Sequence, residues 1–220
     1  MHEKHEKIVV GALETNCWVV PLDSEQPEAA VIDPGADAEL IIDCLERRGL
    51  YPKYILLTHG HFDHIAALPA LYRRYSGGGR SPQIAIGKDD LMYAGADSFD
   101  AHRASFAAAG SPYYIDQLWE SMPNAEITLE DGGSIGIFTV LHLPGHTQGS
   151  VGFLDKKGKR LYAGDTLFRG GVGRTDLPGG DSGALRSSLE RLFKLDGDID
   201  VYPGHGSATT IAREASGLWL

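Results

Sequence analysis

The sequence predicts an α/β fold of four layers, two mixed β-sheets packed face to face with helices outside. Three observations carry that expectation. Apolar, β-branched runs alternate with helical patterns in both halves of the 220 residues, in a similar order. Hydrophobic residues make up 42% and charged residues 23%, the balance of a globular chain long enough for a well-buried core. Three apolar runs end in glycine followed by histidine or aspartate, so strand ends collect the polar chemistry.

Residues 7–13, 16–21 and 29–33 read as strands, and Asp33-Pro34-Gly35 as the turn that closes the third. Over 38–48, Leu40, Ile41, Cys44 and Leu45 fall at helical spacing, and Gly49 ends the pattern. Residues 54–58 form a short buried strand, followed by a helix over 65–75. Ser76-Gly77-Gly78-Gly79 lacks the Gly-Lys-Ser/Thr ending of a phosphate loop and reads as linker. After a strand at 83–87 the pattern breaks. The segment at about 91–123 reads as a helical insert in a single domain of 1–220, with helices at 100–109 and 113–121 separated by Gly110-Ser111-Pro112. Strands return at 127–129, 135–143, 151–154, 160–163 and 199–202. Between the last two, Leu185, Leu189, Leu192 and Phe193 share one face of a helix over 184–193, with Asp181 or Ser182 as its N-cap.

Thirty acidic residues against twenty basic give a net charge of −10, which disfavours nucleic acid and anionic membrane as partners. The apolar stretch 8–13 is too short for a signal-peptide core, and no run approaches membrane-spanning length. Two cysteines are too few for a disulfide framework, which makes a reducing cytoplasm the expected location. Cys17 and Cys44 both read as small buried hydrophobes rather than nucleophiles.

The hexapeptide His59-Gly60-His61-Phe62-Asp63-His64 follows the strand at 54–58 directly. Three imidazoles and a carboxylate suit first-row ions such as zinc, iron and manganese. Four donors exceed the three that a catalytic zinc ion usually takes from protein, so the surplus points to two ions. His146, Asp165 and His205 are further candidates, each behind a glycine at the end of an apolar run. Taken singly, a buried histidine is more often a core residue and Gly-Asp more often a turn. Three repeats of one setting after the hexapeptide weigh toward a shared centre.

The hexapeptide, followed in order by His146, Asp165 and His205, resembles the metallo-β-lactamase-fold hydrolases over nearly the whole chain. Residues 164–168 and 172–181, with Asp33-Pro34-Gly35 and Thr209-Thr210-Ile211, are similar to the glyoxalase II-like (hydroxyacylglutathione hydrolase-like) branch, here without its C-terminal helical domain. The resemblance implies that His59, His61 and His146 hold one ion, that Asp63, His64 and His205 hold a second, and that Asp165 bridges them. The cofactors it implies are two divalent metal ions, zinc first, with iron or manganese as alternatives. It also implies an attack on a carbonyl carbon by an activated water, whose pKa a metal lowers from 15.7 to about 7. Asp63 is the catalytic candidate, both ligand and proton acceptor.

A thioester is the expected small-molecule substrate, because a thiolate leaves without a general acid whereas an amide nitrogen does not. S-lactoylglutathione is the example the branch supplies. True lactamases of this fold lack the carboxylate that Asp165 provides. Arg174 and Asp176 stand where the branch places lysine and tyrosine. Arg174 could grip a substrate carboxylate, or it could form a structural salt bridge. Tyr93, Phe99, Phe106, Tyr113, Tyr114 and Trp119 could roof the cleft or simply pack the insert onto the body. His102 is expected to be exposed, His142 shares a strand face with His146, and His2 and His5 fall in a disordered terminus.

The competing functions are a persulfide dioxygenase-like oxygenase using one iron, a phosphodiesterase or nuclease of the same fold, and a silent binding protein.

Overall fold

The computed structural model describes residues 5–22, 25–113 and 115–217. The first half runs β1 (Glu6–Val10), β2 (Thr15–Pro21), β3 (Glu28–Ile32), α1 (Ala38–Arg47), β4 (Tyr51–Leu56), α2 (Phe62–Ile65), α3 (Leu68–Tyr75) and β5 (Gln83–Gly87). A 3₁₀ turn (Lys88–Tyr93), α4 (Phe99–Ala108) and α5 (Ile115–Leu118) lead to β6 (Ile127–Leu129). The second half holds β7 (Ser134–Ile135), β8 (Phe138–His142), β9 (Val151–Asp155), β10 (Arg160–Gly164), the small hairpin β11 (Leu167–Phe168) and β12 (Gly171–Val172), α6 (Ser182–Leu192), β13 (Asp200–Pro203), β14 (Thr209–Thr210) and α7 (Ile211–Gly217).

Two mixed six-stranded sheets result, in the orders β1-β2-β3-β4-β5-β6 and β14-β13-β10-β9-β8-β7. Strands β3 to β6 are parallel, as are β10 and β13; the other pairs of the two sheets are antiparallel. Side chains alternate across a strand, and β2 uses that period to feed two cores. Cys17 and Val19 face the layer of α1 and α3, whereas Trp18 and Val20 face the second sheet. The second sheet repeats the scheme. Phe138, Val140, Phe153 and Tyr162 fill the space between the sheets, while Leu141, Leu154 and Leu161 meet Leu185, Leu189 and Leu192 of α6. Three apolar layers therefore separate helix, sheet, sheet and helix. The four-layer expectation holds.

Several element bounds differ from expectation for local reasons. The strand expected over 135–143 is a β7–β8 hairpin turning through Gly136-Ile137. The helix expected from residue 65 already begins at Phe62, inside the hexapeptide, and breaks after Ile65 before α3 begins at Leu68, with Pro69 in its first turn. The helix expected over 113–121 shrinks to Ile115–Leu118. Asp181 does cap α6, its Oδ1 accepting the Ala184 N–H at 2.8 Å.

Two histidines are buried or packed where exposure or disorder was expected. His102 is fully buried, its Nε2 meeting the Tyr93 carbonyl at 3.0 Å and its ring lying against Phe62, Tyr93 and Trp119. Aromatic rings from outside α4 outweighed the polarity of one imidazole. His5 joins the folded body, with Nδ1 at 2.6 Å from the Tyr162 hydroxyl and its ring against Trp18 and Tyr202. His2 lies outside the described residues. Of the aromatic residues that could roof the cleft or pack the insert onto the body, Tyr93 is buried, and Phe99, Phe106 and Trp119 pack onto the helix-side core. Tyr113 is 72% exposed and Tyr114 lies outside the described residues. No described helix is long and apolar enough to cross a membrane.

Candidate metal centre

Strand ends bring the polar residues together. β4 delivers the hexapeptide, β8 leads to His146, β10 to Asp165 and β13 to His205. β4 runs parallel to β3, and β13 parallel to β10, so their carboxyl ends open on one side of the sandwich, where α/β sheets place their sites. All seven residues named from the sequence converge there. His59, His61 and His146 form one group that could hold a metal ion, Asp63, His64 and His205 another, and His59, His64 and Asp165 a third that joins them; within each, the ligand atoms lie within 4.8 Å of one another. Asp165 reaches across, with Oδ1 3.5 Å from His64 Nε2 and Oδ2 3.7 Å from His146 Nε2 and 3.5 Å from His205 Nε2.

The outer hydrogen bonds determine which ring nitrogen carries each proton. A carbonyl or carboxylate oxygen only accepts, so a ring nitrogen facing one must donate. His146 Nδ1 donates to the Arg174 carbonyl at 2.8 Å, and His205 Nδ1 to the Leu13 carbonyl at 2.9 Å. His64 Nδ1 donates to Asp33 Oδ2 at 3.0 Å. Thr58 donates its hydroxyl to that same oxygen at 2.7 Å, which leaves the Thr58 oxygen to accept from His59 Nδ1 at 3.1 Å. In the neutral rings, all four Nε2 atoms then present bare lone pairs inward.

Those lone pairs test whether the residues fit a cation. His64 Nε2 and His205 Nε2 face each other at 3.3 Å with no proton between them in these tautomers. His61 Nδ1 and His146 Nε2 approach to 2.9 Å. His59 Nε2, His61 Nε2 and Asp165 Oδ1 are buried without a hydrogen-bond partner. Buried polar atoms are costly unless satisfied, and a cluster of converging acceptors is satisfied by positive charge. The donor set is nitrogen and oxygen without sulfur, as first-row divalent ions accept. The residues fit.

Electrostatics point the same way. Burial, then the neighbouring His64, pushes His59 well below the usual imidazole range, and burial with His146 takes His61 down to about 3. Both stay neutral and ligand-ready. Burial opposes charge on His64, but Asp63, Asp165 and Asp33 outweigh it and raise that ring to about 10. Against the same burial, His64 and His205 hold the Asp63 carboxyl well below its usual range. The carboxylates around His64 thus favour positive charge at this end of the centre, either a second proton on the ring's Nε2 or the cation that would replace it.

The remaining sequence candidates contribute no side chain to these groups. Arg174 is bound bidentately by Asp176, Nε to Oδ1 at 2.8 Å and Nη2 to Oδ2 at 2.7 Å, with both side chains exposed. The carboxylate that pairs with Arg174 is thus Asp176. His142 turns its Nε2 to the Gln148 carbonyl at 2.9 Å and stays out of the centre. Both cysteine thiols are buried, and burial raises Cys44 to about 11 and Cys17 well above its usual value.

Residues not named as site candidates from the sequence support the centre. Asp33 orients His64 and Thr58, Thr15 donates to Asp63 Oδ2 at 3.2 Å, and Asn16 Nδ2 holds the Pro203 and Gly206 carbonyls on either side of His205. Asp33 ends an apolar strand as the ligand candidates do, and that setting was the available signal.

Comparison with known proteins follows the geometry. The Metallo-beta-lactamase superfamily matches residues 10–205. A hydroxyacylglutathione hydrolase, GloC of Haemophilus influenzae, is 38% identical over 95% of this chain and 93% of its own length. The crystal structure of TTHA1623 in a di-iron-bound form aligns with TM-score 0.81 at 36% identity, covering 96% of this chain and 98% of that one. The BLEG-1 B3 metallo-beta-lactamase aligns with the same TM-score at 33% identity, covering 97% of both chains.

Proposed function

The chain belongs to the metallo-beta-lactamase superfamily, and from that premise we propose that it is a dinuclear metal-dependent hydrolase of a small-molecule thioester. The observation that carries the proposal is the set of inward Nε2 lone pairs arranged around Asp165. In this reading His59, His61 and His146 hold one cation, Asp63, His64 and His205 hold the other, and Asp165 lies between them. Two divalent cations, zinc first, would supply Lewis acidity and a water whose pKa falls from 15.7 to about 7. The di-iron form of TTHA1623 keeps iron as an alternative.

The chain's own groups do the rest. Asp63 Oδ2 is held by the Thr15 hydroxyl at 3.2 Å and lies 3.3 Å from His205 Nε2, so Asp63 is the carboxylate turned to the centre that would take the attacking water's proton. The groups gathered at the strand ends are acceptors, and the leaving group that suits them is one needing no proton. A thiol with a pKa of about 8.5 departs as thiolate, so a thioester fits better than an amide. The named activity of the Haemophilus relative makes a hydroxyacylglutathione, such as S-lactoylglutathione, the first substrate to test. A net charge of −10 supports a small molecule over nucleic acid. Two buried free thiols agree with a cytoplasmic place of action. The B3 metallo-beta-lactamase neighbour makes β-lactam opening the second reading.

The test is elemental analysis of protein purified without added metal, together with assays of thioester hydrolysis, β-lactam opening and persulfide-dependent oxygen uptake. Two ions per chain with thioester turnover support the proposal. One iron with oxygen consumption replaces it with an oxygenase, and β-lactam opening alone replaces it with a lactamase. Asp165→Ala is expected to abolish turnover and lower the metal count.

A further inference from the structure

Lys88–Tyr93, the 3₁₀ turn at the root of the α4–α5 segment, reaches into the centre without contributing to its ligand groups. Asp90 in this turn is 1% exposed. Its Oδ2 accepts the Gly60 N–H at 2.9 Å and the Thr147 hydroxyl at 2.7 Å, and its Oδ1 accepts the Gly149 N–H at 2.8 Å. Gly60 sits between His59 and His61, and Thr147 follows His146. One buried carboxylate thus ties together the two loops that carry His59, His61 and His146.

Packing reinforces the tie. A Cβ on Gly60 would lie 2.2 Å from Tyr93 Cδ2, and one on Gly149 would lie 2.4 Å from the Asp90 nitrogen. The two loops close on the turn only because both positions lack a side chain. The other ligand group has different anchors. Asp63 takes Thr15, His64 takes Asp33 and His205 takes the Leu13 carbonyl. Among the described residues, the hydrogen bonds of the Asp90 carboxylate all go to the His59–His61 and His146 loops.

We propose that Asp90 is a positioning residue for the first metal site, setting the distance between the His59–His61 loop and His146 without touching the ion. The inference rests on the metal reading above. It makes the root of the α4–α5 segment part of one metal site and independent of the other. Three donors converge on Asp90, so an asparagine there must turn its own NH₂ toward at least one of them.

The experiment titrates zinc(II) into metal-free full-length protein against a competing chromophoric chelator, in two backgrounds. His205→Ala keeps the His59, His61 and His146 site; His61→Ala keeps the Asp63, His64 and His205 site. Asp90→Asn added to the first background is expected to weaken zinc binding by roughly 10- to 100-fold, the usual effect of losing an outer hydrogen-bond partner. Added to the second background, it is expected to leave binding unchanged. Thr147→Val, which removes a single bond to Asp90, should show the same selectivity with a smaller loss, and decides the matter if Asp90→Asn does not fold. A purely structural role would weaken both sites together, so equal losses overturn the proposal, as does an unchanged first site. If His205→Ala alone binds no zinc, the metal reading itself has failed, and that result appears without touching Asp90.

Discussion

Asp33 Oδ2 lies 3.0 Å from His64 Nδ1 and takes the Thr58 hydroxyl at 2.7 Å, so one carboxylate oxygen sets the orientation of His64 directly and of His59 through Thr58. Asp33 is held at φ 51°, a conformation that asparagine also tolerates. Asp33→Asn therefore isolates the carboxylate from the backbone. Metal affinity is expected to fall roughly 10- to 100-fold, read by chelator competition. Full retention of affinity would show that Asp33 does not set these tautomers.

Gly204 passes so close to the centre that an added Cβ would lie 2.1 Å from Asp165 Oδ1 and 2.6 Å from His64 Cε1. Gly204→Ala is expected to displace both side chains and lower the metal count, with little loss of secondary structure. Elemental analysis beside far-ultraviolet circular dichroism checks this. A full metal complement in the variant contradicts the packing described.

Arg174 and Asp176 neutralise each other at the surface, and the partner guanidinium holds Asp176 down to about 2. Asp176→Ala frees the guanidinium for an anionic substrate. KM for an anionic thioester should fall severalfold while KM for an uncharged thioester stays constant, and Arg174→Ala in the native background should change neither strongly. Equal changes for both substrates would remove Arg174 from any role in substrate charge recognition.

His102 is fully buried, and burial takes its pKa down to about 4, against the ordinary 6.5 regained on unfolding. Between those values the unfolded chain holds a proton that the folded chain does not, so stability falls as pH drops through the window. The loss reaches about 3 kcal/mol once pH is below both values. Urea unfolding of metal-free protein at pH 7.5 and 4.5 measures it. His102→Phe should show a shallower decline than the native chain, and identical declines would place the acid sensitivity in other groups.

Much of the architecture was legible because it depends on local periodicity. The alternation of Cys17 and Val19 against Trp18 and Val20 can be read along one strand, and the spacing of Leu185, Leu189 and Leu192 along one helix. Asp181 as a cap needs only its own neighbours. The burial of His102 was not legible, since aromatic rings from Phe62 and Trp119 enclose it from distant parts of the chain.

By itself the sequence determined which side chains could meet, because a polar residue closing an apolar strand must emerge at the sheet's end. That holds for the hexapeptide, His146, Asp165 and His205, and all of them converge. The tertiary structure alone decided how they meet. The proton on His64 is placed by a residue 31 positions away, that on His205 by one 192 positions away, and the His146 loop is clamped by Asp90 from 57 positions away. Hydrogen bonds act over about 3 Å and are indifferent to separation along the chain, so no window of sequence contains them.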